Sequence, residues 1–311
     1  MEMNTKNHSL LVEKYRSTKL EDYVGNEHIK KQIQKYLDQD DIQNFIFYGP
    51  AGTGKTTLAK LIVNNLDCDY LYINASDERG IETIRDKVTS FSSTASFRQI
   101  KVVILDEADF LTIQAQASLR NVIETFSRTT RFIMTCNFIE RIIDPLQSRC
   151  QVLKVIPPSK KEVAKHLNKI LNIEQVSFEI EALVNIVNAH YPDIRKMLNT
   201  IQLSIKDGKL EVDESIMVSS NYTKQIIAEL KNKKTDYRKL RQIIADSGVK
   251  DFEGLYRALF DYASEYAVGR EGSVAMILNE HQYHSNFRID KEINIASALA
   301  KIIEIKKPQV I

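Results

Sequence analysis

Residues 49–56 read Gly49-Pro-Ala-Gly52-Thr53-Gly54-Lys55-Thr56, which satisfies the spacing G-x-x-x-x-G-K-[ST]. The motif needs a strand before it and a helix after it, and both are legible. Phe45-Ile-Phe-Tyr48 is a short apolar run of strand type, and helical spacing runs from about Lys55 to Leu66. In that setting Gly52, Thr53 and Gly54 let backbone N–H groups curl around a phosphate. The helix N-terminus, with Thr57 and Leu58 in its first turn, adds partial positive charge. Lys55 can reach the β- and γ-phosphate oxygens, and the Thr56 hydroxyl can ligate Mg²⁺. A Gly-rich turn matching by chance is the alternative, and a second motif opposes it.

That second motif is Val102-Val-Ile-Leu105-Asp106-Glu107-Ala108-Asp109, an apolar strand ending in carboxylates. Asp106 is placed to hold Mg²⁺, directly or through water, and Glu107 to orient and polarise an attacking water. Further strands are expected at Tyr70–Ile73, Lys101–Leu105, Arg131–Cys136 and Gln151–Val155, with helices near residues 81–91 and 114–127 between them. Strands of four to six residues alternating with helices predict an α/β domain with a parallel five-stranded sheet covered on both faces. Ligands in such sheets sit at the carboxyl ends of the strands. Thr135-Cys-Asn137 ends the fourth strand there, so Asn137 joins Lys55 and Asp106, either holding water or γ-phosphate or merely capping a turn.

Pro157-Pro158 removes two backbone donors and marks a boundary. Beyond it only helical periodicity is found. Segments near residues 160–171, 180–188 and 194–206 suggest a three-helix unit, and Ser219-Ser220-Asn221 a second boundary. The expected domains are 1–157, 158–219 and 220–311. Their net charges are 0, −1 and +3 within a total of +2, so no domain is a basic patch as a whole, and any nucleic-acid role rests on a few placed arginines. Cys68, Cys136 and Cys150 form no C-x-x-C pair, which opposes a zinc site. The polar Met1–Ser9 stretch and the lack of an 18-residue apolar run suggest a soluble intracellular protein without membrane attachment. His281 and His284 read as a surface pair. Lys231-Asn-Lys-Lys234 reads as a solvated loop, and Tyr256, Phe260, Tyr262 and Tyr266 as core or subunit contacts.

These motifs, with Ser148-Arg149-Cys150 and Pro192-Asp193-Ile194-Arg195, resemble the clamp-loader ATPases of the AAA+ superfamily. Within it they resemble the small subunits of eukaryotic and archaeal replication factor C and the ATPase subunit of T-even-type phage clamp loaders. Val12-Glu13-Lys14-Tyr15-Arg16 is similar to the family's E-K-Y-R-P, and Val24-Gly-Asn-Glu27 to its V-G-Q-E. Asn74-Ala-Ser-Asp-Glu-Arg-Gly-Ile81 matches a family stretch, and Leu119-Arg120-Asn-Val-Ile-Glu124 resembles L-R-R-x-M-E. The likeness runs from about residue 8 to 206 and weakens after it, although Gln282-Tyr-His284 resembles the phage branch. Ser17 stands where the family has Pro, and Asn121 where it has a second Arg. No pore-loop signature of a protein unfoldase stands out.

The resemblance implies an AAA+ P-loop ATPase domain, a helical lid and an all-α oligomerisation collar. It implies that Val12, Glu13, Lys14, Tyr15 and Val24 line the adenine. Arg195 would touch the γ-phosphate from the lid, and Arg149 would act as an arginine finger on a neighbouring subunit's ATP. Arg79 and Arg85 would track a DNA backbone. The implied activity is a Mg²⁺-dependent ATPase, stimulated by DNA and by clamp, that loads a sliding clamp onto primer–template DNA within a ring or spiral hetero-oligomer. The location would be the cytoplasm or nucleoid of a bacterial or phage-infected cell, or a nucleus. Another AAA+ DNA motor, such as a branch-migration or replication-initiation ATPase, and a non-hydrolysing scaffold subunit are the competing readings.

Overall fold

The structure is a computed structural model that describes residues 9–211, 214–232, 234–249, 252–285 and 290–306. The chain forms two compact units, residues 1–210 and 211–311.

The first unit is built on five parallel strands: β1 (Phe45–Tyr48), β2 (Cys68–Asn74), β3 (Ile100–Asp106), β4 (Thr130–Cys136) and β5 (Gln151–Lys154). Their order is β2-β3-β4-β1-β5, with Phe45 opposite both Ile133 and Gln151. Side chains alternate between the faces of each strand, and the alternation divides the core. Phe45, Phe47, Val102 and Ile104 face one layer with α1 (Glu27–Leu37) and α2 (Lys55–Asn64). Ile46, Val103, Leu105, Phe132 and Met134 face the other, against α3 (Ile113–Thr125) and Ile84 and Val88. All seven residues of β3 are buried. A fully buried aliphatic or aromatic side chain contributes ~1.5–3 kcal/mol, so this two-faced core fixes the strand ends that carry the polar residues. The helix expected near residues 81–91 is present from 81 to 93, with a π-helical stretch, Thr83–Val88, inside it and an α-helical end, Thr89–Ser93.

Three helices follow Pro157-Pro158: α4 (Lys160–Ile173), α5 (Ile180–His190) and α6 (Ile194–Ser204). Ser159 and Glu162 close a capping box on α4, and Asp193 caps α6 through the Lys196 N–H at 3.0 Å. The expectation of helices alone after residue 158 is corrected here. Ile205–Lys206 and Lys209–Leu210 pair as an antiparallel hairpin around Asp207 and Gly208, both at positive φ. An Asp-Gly pair favours that tight turn over a further helical turn.

The second unit is helical: α7 (Glu214–Lys231), α8 (Tyr237–Ser247), α9 (Glu253–Asp261), α10 (Glu271–Ser285) and α11 (Lys291–Lys306) are its long elements. Its core gathers Ile226, Leu240, Leu255, Leu259, Leu278, Leu299 and Ile302. Ser219-Ser220-Asn221 lies inside α7, because propensity is a weak signal that tertiary context overrides. Lys231 ends α7 rather than lying in a loop, and Lys233 is outside the described residues. Tyr256 and Tyr266 are core, whereas Phe260 and Tyr262 are about half exposed. His281 is buried, not at the surface: Asn294 Oδ1 lies 3.1 Å from its Nδ1, and Asn294 Nδ2 donates to the Tyr256 hydroxyl at 2.9 Å. The Asn294 contact satisfies the Nδ1 side of the buried ring, while Nε2 is buried with no hydrogen-bond partner among the described residues.

Candidate active site

The loop between β1 and α2 takes backbone conformations that a side chain would obstruct. Gly52 has φ 71°, and a Cβ there would lie 2.1 Å from Asp193 Oδ1. Gly49 has φ 148°, and its Cβ would meet the Val155 carbonyl at 2.4 Å. The Ile194 N–H also donates to the Gly52 carbonyl at 3.3 Å, which docks the start of α6 on the loop. Arg195, the next residue, reaches the same cavity.

Lys55 begins α2 and is buried. Its ammonium donates to the Gly49 carbonyl, the Pro50 carbonyl and Asn137 Oδ1, each at 2.8 Å. Burial lowers its pKa, with nearby Arg195 adding to the shift and the Asp106 and Asp109 carboxylates opposing it. Burial pushes the Cys136 thiol up to about 12, helped by Asp109, so it stays a neutral wall group. Asp106, at the end of β3, is a hub. Thr56 Oγ1 donates to its Oδ1 at 2.8 Å, Tyr72 OH to its Oδ2 at 2.7 Å, and Thr135 Oγ1 also to Oδ1. Burial, with Asp106 as hydrogen-bond acceptor, raises the Tyr72 pKa and keeps the phenol protonated. Glu107 adopts φ 55°, uncommon outside glycine, and its N–H donates to Thr135 Oγ1 at 3.1 Å. Asp109 Oδ2 accepts the N–H groups of Asn137 and Phe138, each at 3.3 Å, and so fixes the turn that presents Asn137.

One cavity collects Val12, Tyr15, Val24, Gly52, Thr53, Gly54, Lys55, Thr56, Thr57, Asp106, Glu107, Asn137 and Arg195. Three expected nucleotide-site residues lie elsewhere. Glu13 pairs with Arg16 at 2.6 Å, Lys14 with Glu174 at 2.6 Å, and Leu58 is core beneath the loop. Tyr15 also donates to Glu174, and burial with that carboxylate raises its pKa. Thr135, Tyr72, Tyr23 and His166 are site residues the sequence reading missed. Thr135 was legible in principle, because strand period places it on the same face as Asn137.

Arg149 is not in this cavity. It precedes β5, whose first residue pairs with the first residue of β1, while the phosphate loop follows the last. Arg149 therefore sits at the amino edge of the sheet, beside Asn44 and Gln151. Its Nε donates to Glu124 Oε1 at 2.6 Å and its Nη1 to the Pro145 carbonyl at 2.7 Å. Arg79 is exposed, donating to the Ser76 carbonyl at 2.9 Å and stacking over Phe110, and Arg85 is exposed in the π-helical turn.

Hard oxygen donors, Thr56 Oγ1 and the Asp106 carboxylate, lie side by side at the start of α2. That donor set fits Mg²⁺. Among the described residues no group of three or more His, Cys, Asp or Glu is arranged to hold a metal, and no helix is long and apolar enough to cross a membrane.

The family model for the ATPase family associated with various cellular activities (AAA) matches residues 45–158. The replication factor C small subunit of Sulfolobus acidocaldarius is 33% identical over 310 residues, 94% of this chain and 95% of that protein. That of Halobacterium salinarum is 40% identical over 211 residues, 66% of each. Among solved structures, the Thermotoga maritima RuvB Holliday junction branch migration motor is similar with a TM-score of 0.54, covering 81% of this chain and 80% of that one. At 17% identity that likeness shows the fold alone.

Proposed function

Since the chain belongs to the replication factor C small-subunit family, we propose that it is the ATPase subunit of a sliding-clamp loader. In this reading it joins other clamp-loader subunits in a ring or spiral hetero-oligomer and uses ATP to open a clamp and set it on primer–template DNA. Residues 1–157 are the ATPase domain and 158–210 the lid, and the collar is the second unit, residues 211–311, rather than starting at 220, because α7 runs through 219–221. The observation that supports the reading best is the separation of Arg149 from the cavity by the length of the sheet. A guanidinium at the far edge serves a nucleotide only when it belongs to another subunit, so turnover depends on assembly.

The chain's groups divide the work. The loop amides, Lys55 and Arg195 hold the triphosphate. Asn137, held against Lys55, faces the γ-phosphate. Glu107 orients a water whose oxygen attacks the γ-phosphorus and accepts the proton it releases. The bond to the β,γ-bridging oxygen breaks, and ADP leaves with that electron pair. Mg²⁺ held by Thr56 and Asp106 would offset charge on the β- and γ-phosphate oxygens. Thr135 ties the Asp106 carboxylate to the Glu107 backbone, so the carboxylate keeps its position relative to the Glu107 main chain. Arg79 and Arg85 would contact DNA phosphates, which position a duplex without reading its sequence.

The test is the ATPase rate of the assembled complex with primed DNA, with clamp, and with both. A clamp loader is stimulated most by the pair. Stimulation by DNA that clamp does not change indicates a branch-migration type of motor, and no turnover at all indicates a scaffold subunit.

A further inference from the structure

The nucleoside half of the cavity contains a side chain that neither holds the triphosphate nor takes part in its hydrolysis. His166 lies on α4 and forms part of the cavity wall. The start of α4 packs beside the N-terminal segment: a Cβ at Gly25 would meet Pro158 at 3.1 Å. One turn after His166, Lys169 Nζ lies 4.0 Å from Asp22 Oδ1. This face of α4 therefore looks onto the stretch Asp22–Gly25, and Tyr23 and Val24 from that stretch are themselves wall residues.

The other polar side chains on this side are already engaged. Tyr15 donates to Glu174, Arg16 to Glu13, Ser17 to the Asp22 carbonyl at 3.1 Å, and Tyr23 to the Thr53 carbonyl at 3.1 Å. Val12, Val24 and Leu198 supply apolar surface. Neither ring nitrogen of His166 is hydrogen-bonded by another described residue. Burial favours the neutral imidazole, Lys169 pushes the same way and Asp22 opposes. A neutral imidazole offers one N–H donor and one acceptor lone pair. A nucleoside presents matching groups on its base edge and its sugar hydroxyls.

We propose that His166 hydrogen-bonds the nucleoside half of the bound nucleotide, through its base or its sugar, and so sets which nucleoside the site prefers. The inference rests on the reading that the cavity holds ATP. Equilibrium binding of ATP, ADP, 2′-deoxyATP and GTP to the full chain tests it, using the wild type, H166A, H166Q and K55A. H166A is expected to weaken ATP and ADP by the same factor, about three- to tenfold, the loss of one ordinary hydrogen bond. H166Q, which keeps a donor and an acceptor, should recover most of it. A contact to the sugar makes H166A lose discrimination against 2′-deoxyATP, and a contact to the base makes it lose discrimination against GTP. Wild-type affinity for ADP in H166A overturns the proposal. So does weakened binding with both discriminations intact, because that is a packing effect. Melting of each variant without nucleotide identifies any folding defect, and H166Q then decides. K55A binding ATP like the wild type would instead refute the nucleotide reading itself.

Discussion

Replacing Arg149 with Ala tests the placement of that residue at the far edge of the sheet. From Gln151 to Lys154, β5 makes three residue steps, about 10 Å at ~3.3 Å per residue, alongside Phe45 to Tyr48. Arg149 lies before the first of these and Lys55 beyond the last, so its guanidinium cannot reach the phosphates of its own chain. R149A in an isolated subunit should therefore bind and slowly hydrolyse ATP like the wild type. In the assembled complex it should lose most turnover, since an arginine finger is worth roughly 10³–10⁵ in related hydrolases. Loss of the exposed ion pair to Glu124 is a minor stability effect, within ~0–1 kcal/mol. The assay mixes two damaged subunits. K55A keeps the finger and lacks the phosphate cation, whereas R149A has the opposite defect. Each interface that joins an R149A nucleotide site to a K55A finger is whole, so phosphate release should rise above that of either variant alone. Titrating one variant into the other should give a maximum at intermediate ratio. No rise in mixtures shown to co-assemble refutes the action across an interface. A defect in the isolated R149A subunit would refute the geometry.

Four further outcomes are expected. E107Q keeps shape but cannot take a proton from water, so ATP should bind tightly while turnover falls ~10²-fold or more; near-normal single-turnover hydrolysis would assign the carboxylate role elsewhere. T135V removes the hydroxyl joining Asp106 to the Glu107 N–H, and should lower kcat more than it raises KM for ATP; a change in KM alone would contradict the positioning role. R79A with R85A should weaken primed-DNA binding uniformly across sequences and flatten its salt dependence, so an unchanged salt slope marks them as ordinary surface. Burial lowers the pKa of both His166 and His190, with Lys169 and Lys196 adding and Asp22 and Asp193 opposing. The unfolded chain then takes up protons first, so stability should fall as pH drops through about 6.5; urea midpoints at pH 7.5 and 5.5 should differ in the wild type and converge in an H166Q, H190Q double variant.

What the sequence made legible is what depends on neighbours along the chain. Phe45–Tyr48, the glycine loop and α2 follow from local period and turn chemistry, and the Asp106-Glu107 pair follows from an apolar strand ending in carboxylates. Parallel pairing then brings Asn137 to Lys55 without further information, because every strand of such a sheet ends on the same edge. The residues missed are those whose partner is remote. Nothing near Gly52 announces Asp193, although a Cβ at Gly52 would collide with it. Tyr72 reads as a strand aromatic until the pairing of β2 with β3 sets its hydroxyl on Asp106. Spacing also puts His281 and His284 near one helix face, but the burial of His281 is decided by Asn294 and Tyr256, on two other helices. A polar residue in a helical stretch is thus ambiguous between surface and core until its partners are known, since only a satisfied donor or acceptor can be buried without a cost of about 1–3 kcal/mol. The same logic in reverse isolates His166. In a wall where the side chains of Tyr15, Arg16, Ser17 and Tyr23 already have partners, the imidazole without one among the described residues is the group that a ligand would complete.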